Sequence, residues 1–347
     1  MESSESKSRL LLVTPDFPPN CGGIASYLGA MSRYFGGRMQ VKDVDLLYKH
    51  FWPKWLRTTQ FLRNQVNGYD IVVISHVLPF GTAAYFAKFF TKKPFVIIVH
   101  GLDIRLATKT FWRKWLVGIV LRSAYLVISN SNALAQELSI FGVHQALVVY
   151  PCLETIADEI DINKTKKRIL TVSRLVERKG HERVLRALAE LRQIGRLENV
   201  EYHIVGSGPY EQQIRSTTHS LNLDSVVFFH GDVDDRERTE MYQQSDLFVM
   251  PVLNDPIDKE GFGLVYIEAA SHGLPSIATD ISGVDEAVIH GETGILVKDN
   301  DIPELATWID RLLRNKDERD QLGNAARERA QSEFTCEHQF AKLDQYL

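Results

Sequence analysis

Short, continuous apolar runs recur along the chain, bounded by polar or turn residues: 9–14 (RLLLVT, closing on Pro15), 70–75 (DIVVIS), 94–100 (PFVIIVH) and 125–129 (YLVIS). Runs of this kind predict strands buried on both faces, as in parallel sheets. Segments of helical spacing lie between them, and strand–helix–strand alternation predicts an open parallel sheet covered by helices. A polar stretch at 154–167 interrupts the rhythm and reads as a linker. The pattern then resumes at 168–173 (RILTVS), 201–205 (EYHIV), 226–230, 247–251 and 275–279. The expectation is an α/β chain of two doubly wound parallel-sheet domains, 1–158 and 159–333. A C-terminal helix, 334–347, is expected to pack back toward the first. Ligands of such sheets bind outside the carboxyl ends of the strands, which predicts a central cleft faced by both domains.

Composition narrows the class. The chain has 347 residues, 44% of them hydrophobic and 24% charged, as in ordinary globular proteins of a size that favours two domains. The three cysteines, Cys21, Cys152 and Cys336, are too scattered for a disulfide framework or a metal cluster, and read as reduced thiols of a cytoplasmic protein. The first nine residues are polar and mixed in charge, so no signal peptide is expected, and no apolar run reaches the length of a membrane span. The net charge of -4 conceals an asymmetry: residues 1–150 carry 17 Lys+Arg against 8 Asp+Glu, leaving 23 against 36 for the remainder. A basic half can meet an anionic surface or acceptor, and it can equally be an accident of surface composition. An acidic chain without a reading motif is not expected to bind nucleic acid.

The candidate chemistry lies mostly in the second half. Glu260-Gly-Phe-Gly-Leu-Val-Tyr-Ile-Glu268 follows a loop carrying Asp255, Pro256 and Asp258, and runs into helical sequence. Gly261 and Gly263 allow close approach of a ligand at a helix start, where free N–H groups favour an anion such as a pyrophosphate. Glu268, more than a turn inside the helix, could accept from two ribose hydroxyls. A glycine loop capping a surface helix is the plainer alternative. Ser173-Arg-Leu-Val-Glu-Arg-Lys-Gly180 closes the first strand of the second half and offers Arg174 and Lys179 to a diphosphate. A solvated turn before a helix is the plainer alternative, plausible for Arg178 but less so for Arg174, which directly follows a buried strand. Near the N-terminus, Gly22 and Gly23 follow a strand and precede a helix, a second candidate phosphate or sugar contact. Gly206-Ser-Gly208 fails as a dinucleotide fingerprint because the third glycine position is Glu211.

Two glutamates separated by seven residues (Glu260, Glu268), Arg174 with Lys179, the Gly22–Gly23 loop and His100-Gly101 after a strand together resemble the retaining glycosyltransferases of the GT-B fold. That group includes glycogen synthases, sucrose synthases and bacterial phosphatidylinositol mannosyltransferases. The resemblance covers nearly the whole chain. It implies two Rossmann-like domains, a nucleotide-diphosphate sugar as co-substrate, and no cofactor or metal. Arg174 and Lys179 would neutralise the departing diphosphate. Glu260 would contact donor-sugar hydroxyls, the N–H groups of Phe262, Gly263 and Leu264 would hold sugar and phosphate, and Glu268 would bind the ribose. Gly208 would lie near the nucleotide, and His100 would hydrogen-bond the donor sugar near the reacting carbon. No carboxylate stands out as a nucleophile, so same-face displacement is expected, driven by positioning and charge stabilisation. A nucleotide-sugar epimerase of the same fold, or a non-catalytic binding subunit, are the alternatives.

For the acceptor, residues 49–63 and 109–122 interleave Trp52, Trp55, Trp112 and Trp115 with Lys54, Arg57, Arg113 and Lys114. Trp112, Trp115, Leu116, Ile119 and Val120 follow helical spacing, either as a face covering the sheet or as an interfacial surface for anionic lipid. The expected acceptor is lipid-linked or a surface glycan, met in the cytoplasm or at the inner face of the cell membrane.

Overall fold

A computed structural model describes residues 8–20, 22–44, 53–156 and 166–347. The chain divides into two compact units, Met1–Glu154 with Cys336–Leu347, and Thr155–Thr335. Each is built on a six-stranded, all-parallel sheet.

In the first unit, β1 (Leu10–Thr14), β2 (Met39–Asp43), β3 (Ile71–Ser75), β4 (Phe95–Val99), β5 (Leu126–Ser129) and β6 (Leu147–Val148) stand in the order β2-β1-β3-β4-β5-β6. The inner strands β1, β3, β4 and β5 read as unbroken apolar runs because both faces are covered. Leu11, Val13, Val72, Ile74, Phe95 and Ile97 pack into one core, and Leu10, Leu12, Ile71, Val73, Val96 and Ile98 into the other. Helix Cys336–Ala341 completes the second of these cores: Phe340 packs on Tyr27 and Tyr34 of helix Gly23–Phe35, with Leu343 and Leu347 buried behind it.

The cysteine reading is corrected here. Cys152 and Cys336 form a disulfide, Cα–Cα 4.8 Å, across 184 residues of sequence. Spacing could not reveal it, because the contact exists only where the returning tail meets the segment after β6; the Cys336 N–H also donates to the Leu153 carbonyl. The argument from free thiols for a reducing compartment therefore falls. Cys21 lies outside the described residues. Among those described, no helix is long and apolar enough to cross a membrane.

The second unit orders β7 (Lys167–Val172), β8 (Val200–Val205), β9 (Val227–Gly231), β10 (Leu247–Met250), β11 (Ser276–Thr279) and β12 (Gly294–Val297) as β12-β11-β10-β7-β8-β9. Its core joins Ile169, Tyr202, Ile204 and Val249 to the apolar faces of helices His181–Gln193 and Ile302–Arg314. In each sheet the chain reverses its direction of progress at one place: between β1 and β3, and between β7 and β10. Crevices at such switch points are where doubly wound sheets bind ligands.

Candidate active site

At the switch point of the second unit the loops after β7 and β10 are locked together. Gly180 has φ +77°, and a Cβ there would lie 2.0 Å from the carbonyl oxygen of Pro251, so only glycine fits. Leu253 N–H donates to the Arg178 carbonyl at 2.8 Å. The result places Lys179 and Arg178 beside Glu260. One oxygen, Oε2, accepts from Lys179 Nζ at 2.6 Å and from Arg178 Nη1 at 2.8 Å, and Arg178 Nε lies 2.9 Å from Asp258 Oδ2. Burial by itself would raise the Glu260 pKa, but the two cations outweigh it and hold the carboxyl at about 2. Lys179 is pulled below its ordinary value by burial, Glu260 opposing and the positive charges of Arg178 and Arg174 adding to the fall. Arg174 is exposed and, among the described residues, makes no ion pair.

Helix Leu264–Ser271 starts beside this cluster with Gly263 as its N-cap and no side-chain cap, so its leading N–H groups are available to an anion. A Cβ on Gly263 would meet the Tyr266 ring at 2.5 Å. Phe262 is buried against Phe334. Glu268 accepts from the Tyr242 hydroxyl at 3.0 Å, and burial raises its pKa. Tyr242 is itself buried and stacked on His272, ring centroids 5.1 Å apart. Gly208 has a packing reason to be glycine, since a Cβ there would sit 2.3 Å from the Leu175 carbonyl.

At the switch point of the first unit the chemistry is different. His100 follows β4, His76 follows β3, and Asp16 follows β1. Ser75 Oγ lies 2.9 Å from His100 Nε2 and 2.9 Å from His76 Nδ1, and His76 Nε2 lies 3.5 Å from Asp16 Oδ2. Asp103, in the turn after His100, accepts from the backbone N–H groups of His100 and Val77 and so ties the two strand-end turns together. Burial, with His76 alongside, pushes the His100 pKa well below its ordinary value. Gly22 and Gly23 open helix Gly23–Phe35 without a side-chain cap, and a Cβ on either would meet nothing within 4 Å.

Residues 154–329 match the family described as Glycosyl transferases group 1, and residues 21–155 match Glycosyltransferase Family 4. The chain belongs to the group 1 glycosyltransferases. It is similar to the GDP-mannose-dependent alpha-(1-6)-phosphatidylinositol monomannoside mannosyltransferase of Mycobacterium tuberculosis, 26% identical over 385 positions that span 98% of each chain. It is also 26% identical to the N-acetyl-alpha-D-glucosaminyl L-malate synthase of Bacillus anthracis, over 77% of this chain and 71% of that one. Among solved structures, Anabaena Alr3699/HepE in complex with UDP superimposes with a TM-score of 0.78 at 21% identity, covering 97% of this chain and 98% of that one. The fold of this glycosyltransferase is GT-B.

Against the sequence expectations for this glycosyltransferase, the structure makes one correction in the second unit. Arg178 is not in a solvated turn; its side chain is 14% exposed and shares Glu260 with Lys179. A basic residue two before a glycine gave no hint of this, because its acidic partners lie about eighty residues further along the chain. Tyr242 was missed because its partner, Glu268, lies on another helix, 26 residues further along. His76 left a legible signal: like His100, it directly follows a buried strand.

The aromatic-basic segments of the glycosyltransferase divide: Leu116 and Val120 of the expected helical face pack on the core, whereas Trp112 and Trp115 turn outward. Helix Phe111–Ser123 buries Val117, Val120 and Leu121, while Phe111, Trp112 and Trp115 point to solvent at 87%, 59% and 61% exposure. Phe89 and Phe90 of helix Thr82–Thr91 are likewise exposed. Trp55, in contrast, packs on Phe86. Trp52 lies outside the described residues.

Proposed function

We propose that this glycosyltransferase moves a hexosyl unit from a GDP- or UDP-linked sugar to a lipid-linked or surface-glycan acceptor, with retention at the anomeric carbon and no metal or cofactor at the reaction centre. The observation that carries this reading is the Arg178–Lys179–Glu260 cluster at a sheet switch point, with Arg174 exposed beside it and an uncapped helix start following. Such a cluster supplies fixed positive charge where a diphosphate would depart. Arg174 and Lys179 meet the leaving group, Glu260 offers its remaining oxygen to the donor sugar, and Phe262, Gly263 and Leu264 supply backbone N–H groups. Glu268 takes the ribose, Gly22 and Gly23 admit the phosphates or sugar closely, and Gly208 lies beside the nucleotide. His100 hydrogen-bonds the donor sugar. The leaving phosphate itself takes the acceptor proton in a same-face displacement. The GDP-mannose-dependent activity of the mycobacterial relative supports a mannosyl donor and a phosphatidylinositol-type acceptor, whereas the UDP complex of the structural relative supports a uridine nucleotide.

Incubation of the purified chain with GDP-mannose, UDP-glucose and UDP-N-acetylglucosamine, with and without lipid acceptors, tests the reading. Acceptor-dependent transfer giving a product of unchanged anomeric configuration, undiminished by EDTA, is expected. Conversion of the nucleotide sugar without acceptor would indicate an epimerase, and loss of turnover in EDTA restored by magnesium would defeat the metal-free assignment.

The outward aromatic face, set among Arg113, Lys114 and Lys109, supports docking on anionic membrane. Each such base is worth roughly 1 kcal/mol near the surface. Arg113→Glu with Lys114→Glu should abolish co-sedimentation with anionic vesicles while transfer to a soluble acceptor analogue persists. Equal sedimentation with neutral and anionic vesicles would remove the charge argument.

A further inference from the structure

We infer that Asp16, His76 and Ser75 act as positioning residues that fix the tautomer of His100, leaving its Nδ1 as a bare hydrogen-bond acceptor for a hydroxyl of the donor sugar. The inference rests on the reading of His100 as a donor-sugar contact and extends it to residues that reading does not include. Three adjacent strands, β1, β3 and β4, deliver the four groups to one place, and they form a single line: Asp16 Oδ2, His76, Ser75 Oγ, His100 Nε2. His76 holds a backbone φ of +75°, a conformation that non-glycine residues rarely adopt, and such strain gathers where a side chain must be aimed. Thr14 places Asp16, its Oγ1 accepting from the Asp16 N–H at 3.0 Å.

Donor and acceptor roles then follow from the end of the line. A carboxylate only accepts, so a neutral His76 ring keeps its proton on Nε2, 3.5 Å from Asp16 Oδ2, and its Nδ1 accepts. The Ser75 hydroxyl has one proton and donates it to His76 Nδ1. Its oxygen is then free to accept, and the neighbour on that side, His100 Nε2, must be the protonated nitrogen. Neutral imidazole carries one N–H, so His100 Nδ1 is left with a lone pair. Among the described residues that nitrogen has no protein partner, and it is not among the buried unsatisfied atoms. Burial keeps the ring neutral, which preserves the acceptor. The outcome is directional: a sugar hydroxyl donates to His100, and a sugar lacking that hydroxyl leaves the acceptor unpaired.

The test reads the tautomer directly. The protein has 11 histidines, and selective 15N-histidine labelling with a His100→Gln variant identifies the His100 signals. Two-bond proton–nitrogen correlations should show His100 protonated at Nε2 and bare at Nδ1. Ser75→Ala should move it toward the Nδ1–H form and lower kcat about tenfold, with the donor KM nearly unchanged, as expected for loss of one oriented hydrogen bond. Ser75 is fully buried, so Asp16→Ala, at the half-exposed end of the line, provides a variant that keeps the core intact. It should populate both His100 tautomers. An Nδ1–H tautomer in the unaltered protein, or an unchanged His100 spectrum in both variants, overturns the inference. If His100→Ala turns over normally, the donor-contact reading fails on its own. The spectra then still decide whether the line sets the tautomer.

Discussion

The two switch points are built from the same topology and opposite electrostatics. In the first unit Ser75 hydrogen-bonds two imidazoles at adjacent strand ends, with one half-exposed carboxylate at the edge of the line. In the second, two cations, Arg178 and Lys179, crowd onto one carboxylate oxygen of Glu260. Charges out of water are costly unless paired, so the second arrangement is stable only while its partners stay together. It can also present strong fixed charge to an anion. The first can do neither, but it can specify which atom donates and which accepts. A group that leaves as a diphosphate needs the former, and a sugar whose hydroxyls must be oriented needs the latter.

The contrast predicts unequal costs. Lys179→Ala should lower turnover by roughly 10²–10³, the range for loss of a preorganised charge-stabilising donor, against about tenfold for Ser75→Ala. Steady-state kinetics on both variants would break the comparison if the two losses were equal.

Glu260→Gln should cost stability as well as activity. It leaves Lys179 buried without its counter-charge and Arg178 with Asp258 alone, a loss of about 3 kcal/mol by chemical denaturation. Acid should expose the same dependence. The folded-state pKa of Glu260, about 2, lies below the ordinary 4.5. Its contribution to stability is therefore complete above about 4.5 and is lost as the pH falls through about 2. The Gln variant should lack that part of the acid dependence, and an identical acid profile would mean that the cluster is not formed in solution.

Tyr242→Phe sharpens the comparison at its small end. It removes one hydrogen bond from Glu268 without touching the ion cluster, so calorimetry should find bare-nucleotide affinity reduced about fivefold and kcat nearly unaltered. A larger fall in kcat than in nucleotide affinity would place Glu268 at the reacting sugar instead of the ribose.

Much of this was legible before any coordinates. Strands such as RLLLVT and PFVIIVH announce themselves because a strand covered on both faces must be apolar throughout. The edges were not legible. β2 reads MQVKD, with only alternate apolar residues, and β6 has two residues, too few to carry a recognisable period. In the candidate site, Lys179 and Glu260 could be singled out by residue type and position beside glycines. Arg178 could not, since an arginine in a loop is ordinarily solvated. Two Asp-x-Asp triplets, 232–234 and 299–301, show the converse. Asp234 and Asp301 cap helices, and Asp299 pairs with Arg183.

By itself the sequence determined that two parallel α/β units would form and which strand-end loops would carry cations, carboxylates and glycines, because burial and turn chemistry are local properties that each segment must satisfy alone. Only the tertiary structure decided which groups are partners: Arg178 with Glu260, Tyr242 with Glu268, His76 with His100 through Ser75, and Cys152 with Cys336. Those pairings depend on strand order and on where the chain reverses across a sheet. Residues far apart in sequence come within hydrogen-bond reach once that order is set, and no local pattern records it.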